Sequence, residues 1–107
     1  MSRKRMMQNV PNADVVIRNP THVAVAIQYD SEHFNAPIVV AKGLDSLALR
    51  IVKVAEEHGV YVTENKPLAR GLYSAVEINQ EIPEKYYKAV AEVLAFVYQL
   101  KKKDFKG

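Results

Sequence analysis

The 107-residue chain contains no cysteine, which excludes disulfides and thiolate metal sites and permits a reducing compartment. It also has no Gly-rich phosphate loop and no G-x-S-x-G motif around its serines, so its residues do not support these forms of turnover catalysis. Its longest apolar stretch, residues 89–98, is interrupted by Glu92 and is far shorter than the ~20 residues that a membrane span needs. Residues 1–10 lack the apolar core of a signal peptide. We therefore expect a soluble globular domain.

Positive charge is scarce in the middle of the chain, although the net charge is +3. The cations that account for this excess lie at the two ends: Arg3, Lys4, Arg5, Lys101, Lys102, Lys103 and Lys106. Without these seven residues and Asp104, the remaining 8 basic and 11 acidic residues carry a net charge of −3. A nucleic-acid module usually carries its basic stripe on the folded surface, interleaved with exposed aromatic residues. The distribution therefore argues against a nucleic-acid partner and favours solvated tails or a segment flanking a membrane.

Hydrophobic periodicity predicts one α/β domain, with a mixed four-stranded sheet packed by about four helices. The predicted strands cover residues 15–17, 23–30, 37–41 and 60–63, and the predicted helices cover residues 45–58, 67–76 and 84–102. We expect Asp45 to be the N-cap of the first of these helices and Gly59 its left-handed C-cap. The order strand, helix, strand across residues 37–63 favours a parallel pair formed by a crossover connection.

Residues 19–22 read Asn-Pro-Thr-His and fall between the first two predicted strands. One interpretation is an ordinary turn, because Asn-Pro commonly initiates turns and asparagine tolerates unusual dihedral angles. A second interpretation follows from asparagine chemistry. The usual deamidation route needs the backbone N–H of the next residue, and Pro20 has none. The side-chain nitrogen of Asn19 can still attack its own backbone carbonyl, which would close a succinimide and release Pro20 as a new amino terminus.

Such a self-cleavage would depend mainly on how the fold positions Asn19. Holding a nucleophile and a carbonyl in attack geometry is worth roughly 7 to 11 kcal/mol. Backbone strain of about 1 to 3 kcal/mol would give only about tenfold to a hundredfold in rate. His22 is the nearest candidate proton acceptor, and Thr21 is a candidate for fixing the turn through its hydroxyl. The alternative is that His22 only packs or is solvated at the head of the second strand.

Five segments in one order resemble the cytoplasmic domain of the FlhB/YscU family, the autocleaving substrate-specificity switch of type III protein export. They are NPTH, VAVAIQYD, APIVVAKG, PLARGLY and KAVAEVLAFVYQL. The resemblance covers about residues 5–102, and the ending AEVLAFVYQL is more similar to the flagellar branch than to the injectisome branch. Two departures are Gly71, where the family more often has alanine, and Asn79, where glycine is frequent; Gly71 would loosen its short helix.

The resemblance implies a role for each residue of the tetrapeptide. Asn19 would be the reacting asparagine, Pro20 the leaving residue, and Thr21 and His22 the supporting pair. It also implies that residues 1–12 end a basic linker helix leaving a four-span membrane domain that is absent from this chain. Residues 13–102 would then form the autocleaving switch domain, and residues 103–107 a tail.

The resemblance further implies a function in flagellar export at the cytoplasmic face of the bacterial inner membrane, where the full-length protein would be embedded. Autocleavage would act once per molecule, without turnover, and would control the change from rod and hook substrates to filament substrates. The implied partners are other export apparatus proteins, a hook-length control protein and the export substrates.

Two alternatives to this interpretation remain. In the first, the chain is an injectisome homologue of the same family. In the second, it is an interaction domain that does not cleave and in which Asn-Pro is only a turn. No cofactor or metal is expected, because the three histidines, His22, His33 and His58, have no pairwise spacing suited to a metal site. The apolar residues between positions 86 and 98 are expected to form core, with a remainder that docks a partner.

Overall fold

A computed structural model of the chain describes the backbone of residues 2–106 and the side chains of residues 2–102. The strands are β1 (Val15–Asn19), β2 (Val23–Gln28), β3 (Ile38–Leu44) and β4 (Tyr61–Glu64). The α-helices are α1 (Arg3–Asn9), α2 (Asp45–Glu57), α3 (Lys66–Ala75) and α4 (Tyr87–Lys106), and short 3-10 helices cover Val10–Asn12 and Glu84–Tyr86. This confirms the predicted α/β domain with a mixed four-stranded sheet and four α-helices.

The sheet has the strand order β3-β2-β1-β4. β1 and β2 form an antiparallel hairpin, β3 is antiparallel to β2, and β4 is parallel to β1. β3 and β4 therefore run parallel and are joined by a crossover, as predicted. They do not pair directly, because α2 carries the chain across both central strands to the opposite edge. The hairpin occupies the centre because its apolar residues are buried on both faces of the sheet, as interior strands require.

The two faces of the sheet are packed by different helices. In β2, the larger residues Val23, Val25 and Ile27 face the cluster formed with α3 and α4. The small residues Ala24 and Ala26 face the cluster formed with α1 and α2. Since side chains alternate along a strand, the alternation of valine and alanine leaves more room for helices on the second face.

The ends of α2 test both caps predicted from the sequence. Gly59 has a φ of 73°, which confirms the left-handed C-terminal position. The N-cap residue is Leu44, and no side-chain capping bond is present there, so the prediction that Asp45 caps the helix is wrong. Asp45 is instead the first helical residue and has a positive φ of 50°. A capping bond does begin α3, where the Asn65 side chain accepts from the Leu68 N–H at 3.2 Å.

Part of the basic amino-terminal segment packs against the rest of the domain. Met6 and Val10 are buried in the cluster that also contains residues of β3 and α2, whereas Arg3, Lys4 and Arg5 are exposed. At the other end, α4 continues to Lys106, four residues beyond the predicted end of the last helix. The predicted tail, residues 103–107, lies outside the residues whose side chains the structure describes. Among the described residues, no helix combines the length and apolar character needed to cross a membrane.

Candidate functional site

The Asn-Pro-Thr-His tetrapeptide forms the connection between β1 and β2. Asn19 is the last residue of β1 and pairs with Val23. The strand thus extends two residues beyond its predicted end at Ile17, and Asn19 lies in the strand and not in the turn. Pro20, Thr21 and His22 complete the connection. Asn19 is 8% exposed, whereas Thr21 and His22 are largely open to solvent. The reacting residue implied by the resemblance is thus held by strand pairing, and its leaving group lies in the turn.

The unusual backbone conformation of this turn is found at Thr21. Thr21 has a φ of 70°, and Asn19 is not among the described residues with positive φ. A proline followed by a residue of positive φ is the pattern of a type II turn. A β-branched residue is strained in this region, at a cost of order 1–3 kcal/mol. Although asparagine tolerates unusual dihedral angles, it is therefore Thr21 that adopts them in this turn.

The turn places a hydrogen-bond donor on the carbonyl that would react. The backbone N–H of His22 donates to the carbonyl oxygen of Asn19 at a distance of 3.0 Å. In an attack on that carbonyl, negative charge develops on the same oxygen. A fixed backbone donor at that oxygen is the arrangement that stabilises a tetrahedral intermediate. Sequence reasoning considered only the His22 side chain and missed this contribution of its main chain.

The His22 side chain faces a carboxylate from another element. Asp45 Oδ1 lies 3.4 Å from His22 Nδ1, and the Asp45 N–H donates to the His22 carbonyl oxygen at 2.9 Å. β3 is antiparallel to β2, and Leu44 pairs with Val23, so the residue after Leu44 lies beside the residue before Val23. Sequence reasoning missed this contact because it depends on the register between two strands.

A surface cleft of about 350 Å³ opens beside this pair. The residues that line it are His22, Val23, Leu44, Asp45, Arg70, Tyr73 and Ser74. Lys42 fixes one wall, because its Nζ donates to the Tyr73 carbonyl oxygen at 2.8 Å and lies 4.7 Å from the centre of the Tyr73 ring. His22 is therefore the residue of the tetrapeptide that borders this cleft, between the start of α2 and the end of α3.

The other two histidines lie away from this site. His33 contacts Asp30, and this hydrogen bond holds the pKa of the Asp30 carboxyl below its ordinary value. With Glu32, these residues bring three ligand-type atoms within 4.8 Å of one another, which the histidine spacing alone did not indicate. The Asp30 carboxylate also accepts from the Glu32 N–H at 3.0 Å, so its contacts are those of a loop-stabilising residue.

A second surface feature is an apolar groove of about 330 Å³ beside α4, which we call the tyrosine groove. Its lining residues are Tyr29, Asn35, Ala36, Pro37, Tyr87, Ala91, Leu94, Ala95 and Tyr98. Tyr29, Tyr87 and Tyr98 are 36 to 43% exposed, and partial burial raises the pKa of Tyr98. Val90, Leu94 and Val97 on the same helix are buried, so α4 supplies both core and an exposed apolar remainder.

Comparison with known proteins identifies relatives of the chain. The sequence matches the model of the FlhB HrpN YscU SpaS family over residues 1–97. The flagellar biosynthetic protein FlhB of Bacillus subtilis is 57% identical over 103 residues, which are 96% of this chain and 29% of that protein. FlhB of Salmonella typhimurium is 54% identical over 101 residues, which are 94% of this chain and 26% of that protein. The chain thus spans less than a third of the length of these relatives.

Solved structures agree with the sequence comparison. The cytoplasmic domain of FlhB from Shewanella putrefaciens matches with a TM-score of 0.93 at 44% identity, covering 98% of this chain and 81% of that one. A mutated EscU C-terminal domain matches with a TM-score of 0.83 at 33% identity, covering 86% of this chain and 92% of that one.

Proposed function

Since the chain belongs to the FlhB HrpN YscU SpaS family, we propose that it forms the cytoplasmic part of a flagellar protein-export component that cuts itself once between Asn19 and Pro20. The identity of 57% to a flagellar biosynthetic protein, against 33% for the EscU domain, favours the flagellar branch over an injectisome homologue. The observation that carries the cleavage proposal is the buried Asn19 at the end of β1, with the His22 N–H bonded to its carbonyl oxygen.

The proposed reaction forms one bond and breaks one. The side-chain nitrogen of Asn19 attacks the backbone carbonyl carbon of the same residue and forms the ring C–N bond of a succinimide. The bond from that carbon to the Pro20 nitrogen breaks. One proton leaves the attacking amide nitrogen and one proton reaches the Pro20 nitrogen, so no water is consumed. Water opens the succinimide only in a later step.

The contacts around Asn19 support a division of labour in this step. The His22 N–H stabilises the developing oxyanion, and removing one such donor typically costs about a hundredfold or more in rate. The strain at Thr21 is relieved when the turn opens, which is worth about tenfold to a hundredfold. The His22 ring is the proposed proton carrier. Strand pairing of Asn19 with Val23 supplies the positioning, which is the larger contribution.

The cut is proposed to change a surface without unfolding the domain. Residues Val15, Val16 and Ile17 are each 0% exposed, and burying each such side chain contributes roughly 1.5 to 3 kcal/mol. β1 is also paired on both edges, with β2 and with β4. The new ends at Asn19 and Pro20 would separate locally, while the amino-terminal piece remains in the sheet.

The consequence that we propose for the cell is a change in which proteins the domain binds. The opened loop lies at the cleft beside α2, and the tyrosine groove offers an apolar surface for a second contact. Export substrates, other export apparatus proteins and a hook-length control protein are the proposed partners. The switch from rod and hook substrates to filament substrates would follow the cut, with the domain held at the cytoplasmic face of the inner membrane.

Incubation of the purified chain at neutral pH tests the proposal. We expect a denaturing gel to show two fragments. In freshly cut chain, intact-mass measurement should give two masses that add up to the mass of the uncut chain, and the sum should rise by the mass of one water once the succinimide opens. Asn19→Ala should stay uncut, because an alanine methyl cannot attack a carbonyl. Its fold should be retained, since Asn19 has no positive φ that alanine would disfavour. A chain that stays intact would favour the non-cleaving interaction domain, and cleavage of Asn19→Ala would indicate an external protease.

A further inference from the structure

The first residue of α2 makes two contacts with a single residue of the hairpin loop. The Asp45 N–H donates to the His22 carbonyl oxygen at 2.9 Å, and Asp45 Oδ1 lies 3.4 Å from His22 Nδ1. The main-chain bond fixes the separation of the two residues. The carboxylate is therefore held close to the imidazole even though both side chains are largely exposed.

The backbone conformation of Asp45 is not explained by the helix that it begins. Asp45 has a φ of 50°, a region that costs a non-glycine residue of order 1–3 kcal/mol. α2 has no side-chain capping bond at its start, so the strain does not serve to cap the helix. What the conformation does achieve is to bring both the N–H and the carboxylate of Asp45 onto His22. Strain that is kept for such a contact is typical of functional sites.

The chemistry of the contact determines which ring nitrogen carries the proton. An ionised carboxylate only accepts hydrogen bonds, so a neutral His22 ring that faces it must be protonated at Nδ1. Nε2 then keeps its lone pair and is free to accept a proton. A carboxylate that orients a histidine in this way fixes both the tautomer and the rotation of the ring.

We propose that Asp45 is a positioning residue for the cut between Asn19 and Pro20, and that it acts by holding the His22 ring in the Nδ1-protonated tautomer. His22 Nε2 takes the proton from the attacking Asn19 amide nitrogen and gives it to the Pro20 nitrogen, while Asp45 stays ionised. The inference rests on the proposed autocleavage, but the tautomer of His22 can be measured whether or not the chain cuts.

The other two histidines provide references within the same molecule. His58 Nδ1 lies 2.9 Å from the Val54 carbonyl oxygen, which can only accept, so His58 is protonated at Nδ1 when neutral. His33 Nδ1 faces Asp30, three residues away along the chain. His22 differs from both because its acceptor lies 23 residues away and on another element. The His22 contact therefore exists only when the start of α2 is docked against the hairpin.

Nitrogen and carbon NMR of the labelled imidazole rings measures the tautomer directly. The measurement uses the Asn19→Ala chain at a pH where the rings are neutral, so that cut and uncut molecules do not mix. We expect His22 to give the same Nδ1-protonated pattern as His58. Asp45→Gly should shift His22 towards the Nε2-protonated pattern, which free imidazole side chains favour. Glycine suits the positive φ and keeps the N–H donor, so the loop should remain in place.

Two controls show that the change is specific. Asp30→Gly should change the pattern of His33 and leave His22 as it was. An unchanged pattern for His58 in every variant shows that the helix end beside Val54 is still folded. Either of two results would overturn the inference. One is a His22 ring that keeps the Nδ1-protonated pattern in Asp45→Gly, and the other is a His22 ring that lacks this pattern when Asp45 is present.

Cleavage rates test whether the tautomer matters for the reaction, and they are measured in variants that keep Asn19. We expect His22→Ala to slow the cut about a hundredfold and Asp45→Gly about tenfold. The double variant should be no slower than His22→Ala alone, because Asp45 acts only through the ring. Rate losses that multiply would show that Asp45 acts independently of His22 and would overturn the inference. A wild-type chain that never cuts would instead overturn the proposed function, even if the NMR patterns are as expected.

Discussion

The strand β1 and the loop that follows it differ sharply, although they are consecutive in sequence. Val15, Val16 and Ile17 are completely buried and paired on both edges, whereas Thr21 and His22 are exposed, and Thr21 is strained. Asn19 lies at the border, with its backbone in the strand and its bond to Pro20 in the turn. The comparison teaches that the stable strand ends at this residue, and the proposed cut would fall just after it. In the proposed cut, the strand would hold the attacking Asn19 and the loop would open while β1 stays paired with β2 and β4.

The largest expected effect comes from weakening the strand side of this border. Ile17→Ala removes a fully buried side chain and should lower the free energy of unfolding by about 2–5 kcal/mol. Denaturant unfolding in the Asn19→Ala background measures the loss without interference from cleavage. Arg18→Ala is the matched control in the same strand, because Arg18 is only half-buried and should cost less. Equal losses for the two variants would mean that burial does not explain the stability of β1.

A second prediction concerns the amino-terminal piece outside β1. Met6 is 3% exposed, and Met6→Ala should lower the free energy of unfolding by about 2 kcal/mol. Deletion of residues 1–5 and 103–107 should cost less, about 1 kcal/mol, since residues 2–5 are exposed and the main loss is the Ser2 capping bond at the start of α1. Thermal unfolding of both variants checks the contrast. If the deletion costs more than Met6→Ala, the charged ends themselves stabilise the domain.

The third prediction acts on the loop side. Thr21→Gly should stabilise the uncut chain by about 1 kcal/mol, because glycine adopts positive φ without strain but loses more entropy on folding. The cut should become about tenfold slower and should still occur, if positioning outweighs strain. Thr21→Ala keeps the strain and removes the hydroxyl, so it separates the two contributions. Complete loss of cleavage in Thr21→Gly would assign the main role to strain.

The smallest expected effect is a pH dependence away from the border. The hydrogen bond from His33 lowers the pKa of the Asp30 carboxyl, so the contact stabilises the fold above the ordinary carboxyl pKa of about 4. This contribution should be lost as the pH falls through the lowered pKa of the folded state. Asp30→Asn should flatten that part of the curve of unfolding free energy against pH. Cleavage at Asn19 should be unaffected, and a changed rate would show that the two regions are coupled.

Much of the fold could be predicted because local patterns determine it. The alternation in β2, the buried positions of α2 and the left-handed Gly59 all follow from periodicity and glycine chemistry. Asn79 also has a positive φ, 71°, a region that glycine and asparagine adopt more readily than other residues. Gly71 needed the structure, since a Cβ at this position would collide with Tyr86 Oη. The absence of a side chain at Gly71 in α3 thus leaves room for the Tyr86 ring. This is separate from the lower helix propensity that was expected of the glycine.

The features that could not be predicted all depend on contacts between distant segments. The pairing of β4 with β1 follows from the central place of the hairpin, which no local pattern encodes. The same holds for the contact of Asp45 with His22, which requires the register of β2 and β3. In the tetrapeptide, the sequence led to the proposal that Asn19 reacts, but it did not indicate that Thr21 carries the strain or that the His22 N–H bonds the Asn19 carbonyl oxygen.

The measurement that tests the central claim most directly is size-exclusion chromatography of the incubated chain, followed by mass measurement of the denatured peak. The account predicts one native peak at the size of the uncut domain that contains two fragments, residues 1–19 and 20–107, because β1 remains between β2 and β4. Asn19→Ala should elute at the same volume and contain one uncut chain. Two native peaks, with residues 1–19 separated from the remainder, would contradict the claim that the cut changes the loop and preserves the sheet.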